Sequence, residues 1–371
     1  MRAGAGARHE IDSINRSIHE NYSFVCEFAG TYDESQMMPN PTGRQMLRRI
    51  FSKAAAAAAL LGMAMAPVAG HANGQPTRIV VGFAAGGAAD ILARTFAEWM
   101  HAHLGDTYIV ENRPGASARI AVDYVKRAAP DGKTILISSP SPITIFPLTY
   151  KKLNYDPDTY LIPIAHLVDA PQALTVSASG PIHSMQDYLA SIKKDPRAAS
   201  VGMVTLGSPT HFSLLSLGKS IDVPLTPVAY KGVGPMLSDV IGGALPACIN
   251  PLGGQMELYR AGKIRFLGVT GTRRSAMLPD VPTMKEAGAD GFEMASGWFA
   301  AFVPAGTPKE TVEKLEKAMM AAAKDPVIRE KLQELGLETT GWSGDELKQY
   351  IHAQRDYGRG IVAESGFSAD S

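Results

Sequence analysis

Strand and helix patterns alternate along most of this chain, beginning with residues 78–94. After Arg78, residues 79–81 form a β-branched apolar run, residues 82–89 are mostly small, and a helical pattern follows. The segment therefore predicts a strand, a tight turn and a helix. The small residues let a ligand approach the backbone, and the unpaired N–H groups of the helix start attract carboxylate or phosphate. An ordinary turn without a ligand is the alternative interpretation.

The same alternation continues towards the C-terminus and predicts an α/β protein with parallel sheets covered on both faces. The further predicted strands are residues 107–110, 134–138, 174–176, 200–204, 225–228, 247–250 and 264–270. The predicted helices are residues 120–129, 185–193, 210–219, 234–241, 253–261, a long helix from Thr307, 325–335 and 344–363.

Residues 37–72 have the organisation of a secretory signal peptide. A basic start at residues 48–53 leads into the apolar stretch 54–69, and small residues at 70–72 offer a cleavage site. The Arg-Arg-x-Phe-x-Lys start resembles a twin-arginine signal, with Sec export as the alternative. We expect a periplasmic protein whose mature chain begins near Asn73.

Residues 1–36 are polar and have no clear periodicity. Because a signal peptide is N-terminal, we expect this segment to be a non-native or disordered extension. Met37, Met38 or Met46 would then be the true start.

Composition excludes several classes of partner. The chain has 36 Lys and Arg against 36 Asp and Glu, and no basic block indicates nucleic acid. Beyond the leader, no apolar run approaches the length of a membrane helix. Cys26 lies in the expected extension, which leaves Cys248 without a disulfide partner and predicted as a small buried residue. The length after the leader suits two lobes, and we expect a monomer.

A set of short motifs follows in a fixed order. These are FAAGGAAD at 83–90, VENRPGA at 110–116, APDGKTIL at 129–136, GSPTH at 207–211, AYKG at 229–232, AGKIR at 261–265, LPDVPT at 278–283, Trp298, and PAGTP at 304–308. Over residues 77–368 the chain resembles the Bug (TctC-type) family, periplasmic substrate-binding proteins of tripartite tricarboxylate transporters.

The resemblance implies a type II periplasmic-binding-protein fold, with two α/β lobes and a ligand cleft between them. The chain would cross between lobes near Val176 and near residues 300–302. Lobe 1 would comprise residues 73–176 and 300–371, and lobe 2 residues 177–299. The implied function is capture of a small carboxylic acid, such as a di- or tricarboxylate, and its delivery to membrane transporter subunits. No cofactor or metal is implied.

Ligands of open α/β sheets bind at the carboxyl ends of strands, where helices begin. Four turns and two strand ends meet this condition. The candidate ligand-binding residues are Phe83, Ala85, Gly86, Gly87 and Asp90; Ser117 and Arg119; Gly207, Ser208, Thr210 and His211; Tyr230 and Lys231; and Ser139 and Asn250 at the strand ends.

These candidates have different expected roles. The N–H groups of residues 85–87 would hold a carboxylate, and Asp90 would brace their turn because like charges repel. For Ser208 and Thr210, ordinary helix capping is the alternative to ligand contact. A buried structural role is the alternative for His211, and a solvated side chain is the alternative for Lys231.

Two positions depart from the family pattern. Members commonly have Gly-Gly-Asn where this chain has Ser117, Ala118 and Arg119. Arg119 would offer a carboxylate a fork of donors, or would point to solvent. Many members have Asp where this chain has Asn250, and a neutral amide does not favour a ligand ammonium. We therefore predict a carboxylic acid without an amino group.

Two other functions compete with transport. A periplasmic sensor would bind the same ligand and present it to a signalling kinase, and the fold alone does not separate these roles. An enzyme would need a nucleophile beside a base, and only Ser208 and His211 have a suitable spacing. The sequence provides no third orienting group for them, so we expect no enzymatic activity.

Overall fold

The computed structural model describes residues 75–365 and Phe367. The expected extension and signal peptide lie outside these residues. The strands of the described part are β1 Thr77–Val81, β2 Tyr108–Asn112, β3 Thr134–Ser138, β4 Leu161–Ala170, β5 Gln172–Ser177, β6 Ser200–Met203, β7 Thr226–Ala229, β8 Ala247–Pro251, β9 Ile264–Val269, β10 Gly297–Pro304 and β11 Glu338–Ser343.

The helices between these strands include every helix predicted from the sequence, with ends shifted by a few residues. The α-helices are α1 Ala88–Leu104, α2 Arg119–Lys126, α3 Phe146–Thr149, α4 Pro157–Tyr160, α5 Met185–Lys194, α6 Pro209–Ser220, α7 Val233–Ile241, α8 Met256–Arg260, α9 Lys309–Lys324, α10 Pro326–Gln333 and α11 Gly344–Ser365.

The strands form two sheets. The first has the order β11-β4-β10-β3-β1-β2, and the second has the order β7-β6-β8-β5-β9. In the first sheet β1 is parallel to both β2 and β3, so the turns that follow these three strands meet at one edge. In the second sheet β6 is parallel to β7 and β8. The predicted α/β class, with two lobes, is confirmed.

The prediction of parallel sheets is correct for only part of each sheet, because both sheets are mixed. Strand β10 is antiparallel to β3 and β4, and β5 is antiparallel to β8 and β9. Antiparallel neighbours need no crossover helix between them. Strands β4, β10 and β11 therefore have no place in a regular strand–helix alternation, and none of them was among the predicted strands.

Helices cover both faces of the first sheet. Along β1, Ile79 and Val81 pack with Leu92 and Phe96 of α1, whereas Val80 faces α2 and α11. This alternation of side chains is the period of two expected for a strand buried on both faces. The second sheet is buried in the same way, with α5 and α6 on one face and α7 and α8 on the other.

Cys248 on β8 is a free thiol with no exposed surface, as the sequence predicts. Burial raises the pKa of this thiol to about 12, so it stays protonated at neutral pH. It therefore behaves as a small apolar residue in the core of the second sheet.

The chain changes sheets at two places. It leaves the first sheet at Ala170 and enters the second at Gln172, with Pro171 between them. It returns between Val269, the end of β9, and Gly297, the start of β10. The positions expected for these crossings, Val176 and residues 300–302, instead lie inside strands β5 and β10.

Within residues 75–365, no helix has the length and apolar character needed to cross a membrane. The same residues contain no group of three or more His, Cys, Asp or Glu side chains arranged to hold a metal ion.

Candidate ligand-binding cleft

A cleft of about 530 Å³ lies between the two sheets, at the ends of strands from both. Aromatic and aliphatic side chains make up most of its wall, together with hydroxyl and amide groups. The lining residues are Phe83, Ala88, Ser117, Ser139, Pro140, Ser141, Phe146, Ala170, Gln172, Met203, Val204, Thr205, Leu206, Ser208, Pro209, Ile249, Asn250, Pro251, Gly254, Gly297, Trp298, Phe299, Leu335 and Leu337. The wall contains five of the fifteen predicted site residues: Phe83, Ser117, Ser139, Ser208 and Asn250.

The first turn joins β1 to α1. Phe83 and Ala88 line the cleft, whereas Ala85, Gly86 and Gly87 are exposed and stand outside the lining set. Gly86 has a φ of 84°, a left-handed conformation that glycine adopts without strain.

Asp90 braces this turn, in the arrangement expected for it. Its carboxylate accepts hydrogen bonds from Gly86 N (2.9 Å), Arg94 Nε (3.0 Å) and Asn112 Nδ2 (3.0 Å). The hydrogen bond from Arg94, followed by those from Gly86 and Asn112, lowers the pKa of Asp90 to about 2 against the cost of burial. One of the three N–H groups predicted for a ligand, that of Gly86, is therefore already paired.

The second turn, between β2 and α2, has unusual backbone geometry. Ala116, Ser117 and Ala118 have φ values of 46°, 53° and 71°. Three consecutive left-handed residues that are not glycine carry backbone strain. Ser117 lines the cleft, so the strain lies next to the candidate binding surface.

Arg119 supports this turn and stands outside the cleft wall. Its Nε donates to the carbonyl oxygen of Ala116 (3.1 Å), and its guanidinium lies 4.2 Å from the ring centre of Tyr150. The guanidinium group, whose N–H donors were predicted to bind a carboxylate, is thus directed at a backbone carbonyl and an aromatic ring.

The third turn starts helix α6. Ser208 lines the cleft and also caps the helix, since its Oγ accepts from the N–H of His211 (3.2 Å). Helix capping is therefore observed, and ligand contact stays a prediction, because the hydroxyl proton of a capping serine remains available as a donor. Thr210 is fully buried and donates to the carbonyl of Ala295 (2.9 Å), so it anchors the helix to the segment before β10.

His211 is a buried structural residue next to this turn. Its Nδ1 accepts a hydrogen bond from Gly207 N (3.1 Å), which puts the proton of the neutral ring on Nε2. Burial lowers the pKa of His211, so the ring is neutral at physiological pH. The hydrogen bond between Ser208 and His211 therefore joins Ser208 Oγ to the backbone N–H of His211. The imidazole Nδ1 of His211 accepts from Gly207 N instead.

The fourth turn lies away from the cleft wall. The Tyr230 hydroxyl donates to Asp239 Oδ2 (2.6 Å) on helix α7, and Lys231 is exposed. Neither Tyr230 nor Lys231 lines the cleft with the other predicted site residues.

Asn250 is the penultimate residue of strand β8 and is fully buried in the cleft wall. Its Nδ2 donates to the thioether sulfur of Met236 (3.3 Å), a weak acceptor, and its backbone oxygen accepts from Gln255 Nε2 (2.8 Å). Its Oδ1 has no hydrogen-bond partner among the residues that the structure describes.

Sequence reasoning missed the aromatic side of the cleft. Trp298 and Phe299 belong to β10, Phe146 to α3, and Leu335 and Leu337 to the segment before β11. Trp298 is held in place because its Nε1 donates to Gln354 Oε1 (3.1 Å) on α11. Trp298 was noted as a motif residue, but nothing local indicates that it faces a cleft.

A cluster of charged side chains lies close to the change of sheets at Pro171. Arg273, after β9, is 3.5 Å from Asp169 of β4 and 3.3 Å from Glu338 of β11. Glu338 also accepts from Ser275 Oγ (2.5 Å). Burial raises the pKa of Asp169 to about 6, although Arg273 opposes the shift.

The sequence over residues 92–367 matches the family model described as tripartite tricarboxylate transporter family receptor, TctC. The match covers well over half of the chain. The chain belongs to the TctC family.

Several solved structures are similar to this chain in both sequence and fold. The Rhodopseudomonas palustris protein Rpa4515 with adipate is 33% identical, with a TM-score of 0.69 over 79% of this chain and 98% of that one. The periplasmic binding protein BugD is 32% identical, with a TM-score of 0.66 over the same shares of the two chains. MatC from R. palustris with bound malate is 28% identical, with a TM-score of 0.65 over 77% of this chain and 98% of MatC.

Proposed function

We propose that the chain is an exported solute-binding protein that captures a small carboxylic acid between its two lobes and delivers it to the membrane subunits of a tripartite transporter. One observation carries the proposal. The cleft lies at strand ends from both sheets, in a TctC-family chain 33% identical to a protein solved with adipate. Malate in MatC is a second carboxylate bound by a related protein.

The carboxylate subsite of this proposal lies at the edge of the first sheet. Strand β1 stands between β3 and β2, so the turn after β1 is flanked by Ser139 on one side and Ser117 on the other. Their hydroxyls and the N–H groups at the start of α1 are donors, and donors that converge on one point suit a carboxylate.

Binding would be coupled to closure of the lobes. We assign the chain up to Ala170 and from Gly297 onward to one lobe, and the intervening segment from Gln172 to the other. Pro171 and the segment before Gly297 would then act as hinges. A ligand that contacts both walls only in the closed form shifts the equilibrium towards that form. The closed form would dock on the transporter.

Thermal unfolding of the purified protein tests the binding step. The protein is unfolded and refolded to remove carried-over ligand, then heated with carboxylates, amino acids or nucleotides. A carboxylate at about one hundred times its dissociation constant is expected to add roughly 2.7 kcal/mol to the free energy of unfolding. Stabilisation by a nucleotide or cofactor, with none by any carboxylate, would contradict the proposal.

Uptake measurements test delivery. Cells lacking this protein are expected to lose uptake of the radiolabelled acid that stabilises it, and periplasmic fractions of complemented cells are expected to contain the protein. If uptake is unchanged although the purified protein binds the acid, the transport step is contradicted. The protein would then deliver its ligand to a different partner.

A further inference from the structure

The charge of the cleft limits which acids fit it. Among the described residues lining it, no side chain carries a formal charge at neutral pH. Phe83, Phe146, Trp298 and Phe299 supply aromatic surface, and Leu206 adds aliphatic surface. A carboxylate that enters such surroundings loses its hydration and is stabilised only where N–H or O–H donors replace the lost water.

Hydroxyl donors lie on both sides of the cleft, and three of them are grouped at the first sheet. Ser117 follows β2, and Ser139 and Ser141 follow β3, so these three residues flank the turn after β1. A single carboxylate near this turn therefore finds several donors. On the opposite wall, Met203, Val204 and Ile249 stand around the end of the second sheet, together with the hydroxyl groups of Thr205 and Ser208.

Asn250 is the residue of that opposite wall whose buried side chain presents an unpaired acceptor. Its side chain has no exposed surface, and its Oδ1 has no partner among the described residues. A buried carbonyl oxygen without a donor costs free energy comparable to a lost hydrogen bond. A hydrogen-bond donor on the ligand would satisfy this oxygen, whereas a second carboxylate would be repelled by it.

We infer that the ligand is a monoanion with three parts: one carboxylate at the first-sheet turns, an apolar body against the aromatic wall, and a neutral donor such as a hydroxyl at Asn250. The ligand class is thus a hydroxylated monocarboxylic acid, in contrast to the dicarboxylates named for related structures. This inference rests on the proposed function, because it assumes that the cleft binds carboxylates.

Calorimetric titration of the purified, ligand-stripped protein with three six-carbon acids tests the inference. The probes are 6-hydroxyhexanoate, hexanoate and adipate, which share one carboxylate and differ at the far end. We expect 6-hydroxyhexanoate to bind about tenfold more tightly than either of the other two. The Asn250→Leu variant, of similar volume, is expected to lose this advantage and to bind hexanoate at least as well as the wild type.

Asn154→Leu is the matched control. Asn154 is exposed and donates to Asp123, and it stands outside the cleft wall. This variant is expected to keep the wild-type order of the three acids.

The wild-type order alone decides the inference, even if Asn250→Leu does not fold. Tighter binding of adipate, or equal binding of hexanoate and 6-hydroxyhexanoate, would overturn the inference and leave the proposed function standing. An advantage for 6-hydroxyhexanoate that survives in Asn250→Leu would overturn the role of Asn250. Failure of every carboxylate to bind would overturn the proposed function as well.

Discussion

Gly82 and Ala118 pack against each other so closely that a methyl group on Gly82 would overlap the Cβ of Ala118 and lie 2.9 Å from its Cα. The contact joins the end of β1 to the strained turn before α2. It fixes the position of Ser117 relative to the first turn of the cleft.

Gly82→Ala is therefore expected to lower the free energy of unfolding by about 1–3 kcal/mol through overpacking. In the double variant with Ala118→Gly, part of this loss should be recovered, because the second substitution removes the methyl that is struck. Urea denaturation of the two single variants and the double variant measures the coupling. Gly234→Ala is the control, since no atom lies within 4 Å of its added methyl. Strictly additive changes in the free energy of unfolding would show that the methyl groups at positions 82 and 118 do not clash.

Ala116→Gly is expected to stabilise the protein by roughly 0.5–1 kcal/mol. A left-handed φ of 46° is strained for alanine but not for glycine, and Ala116 is exposed. The relief of this strain should exceed the free energy lost through the greater conformational entropy of glycine in the unfolded chain. Ala261→Gly is the matched control, because Ala261 is also exposed but has a φ of −76°. It should be neutral or destabilising. A lower melting temperature for Ala116→Gly would mean that the turn is not strained.

Asp90→Asn is expected to cost roughly 1–3 kcal/mol at neutral pH, because it weakens charge-assisted hydrogen bonds to Arg94 and Gly86. The pKa of Asp90 is lowered from 3.8 to about 2, so its contribution is complete above pH 4 and is lost as the pH falls towards 2. Melting temperatures of wild type and variant should converge over that range. A constant difference from pH 7 to pH 2 would contradict the assignment.

Asp169 should show the opposite pH dependence. Burial raises its pKa from 3.8 to about 6, so the folded state binds this proton more tightly than the unfolded chain. The wild type is therefore expected to lose stability relative to Asp169→Asn as the pH rises from 4 to 6. Asp187→Asn is the control, because hydrogen bonds from His183 and Ser184 lower the pKa of Asp187 below 3.8, so its contribution should stay nearly constant over this pH range. A difference that does not change between pH 4 and 6 would contradict the shift at Asp169.

Local patterns predicted the elements that alternate regularly. The pattern of residues 78–94 correctly predicted β1, its turn and α1, because apolar periodicity and small residues determine structure locally in the sequence. Strand β4 was missed because Pro163, His166 and Asp169 interrupt its apolar pattern, although His166 is fully buried. Its place in the sheet depends on partners distant in sequence, β10 and β11.

The candidate site was predictable in part, at strand ends and in the turns that follow strands. Ser139 and Asn250 lie at strand ends and reach the cleft wall, as do Phe83, Ser117 and Ser208 in the turns. The directions of Arg119 and Tyr230 are set by partners elsewhere in the chain, Tyr150 and Asp239, and no local pattern reveals those contacts. The aromatic wall from β10 likewise arises only when the chain returns to the first sheet.

A crystal structure of the protein with a bound carboxylate tests the central claim most directly. The account predicts the carboxylate in the cleft between the two sheets, with an oxygen within hydrogen-bond distance of the Ser117 or Ser139 hydroxyl or of an N–H group at the start of α1. A carboxylate bound outside this cleft, or held in it by a charged side chain that moves in from elsewhere, would contradict the account.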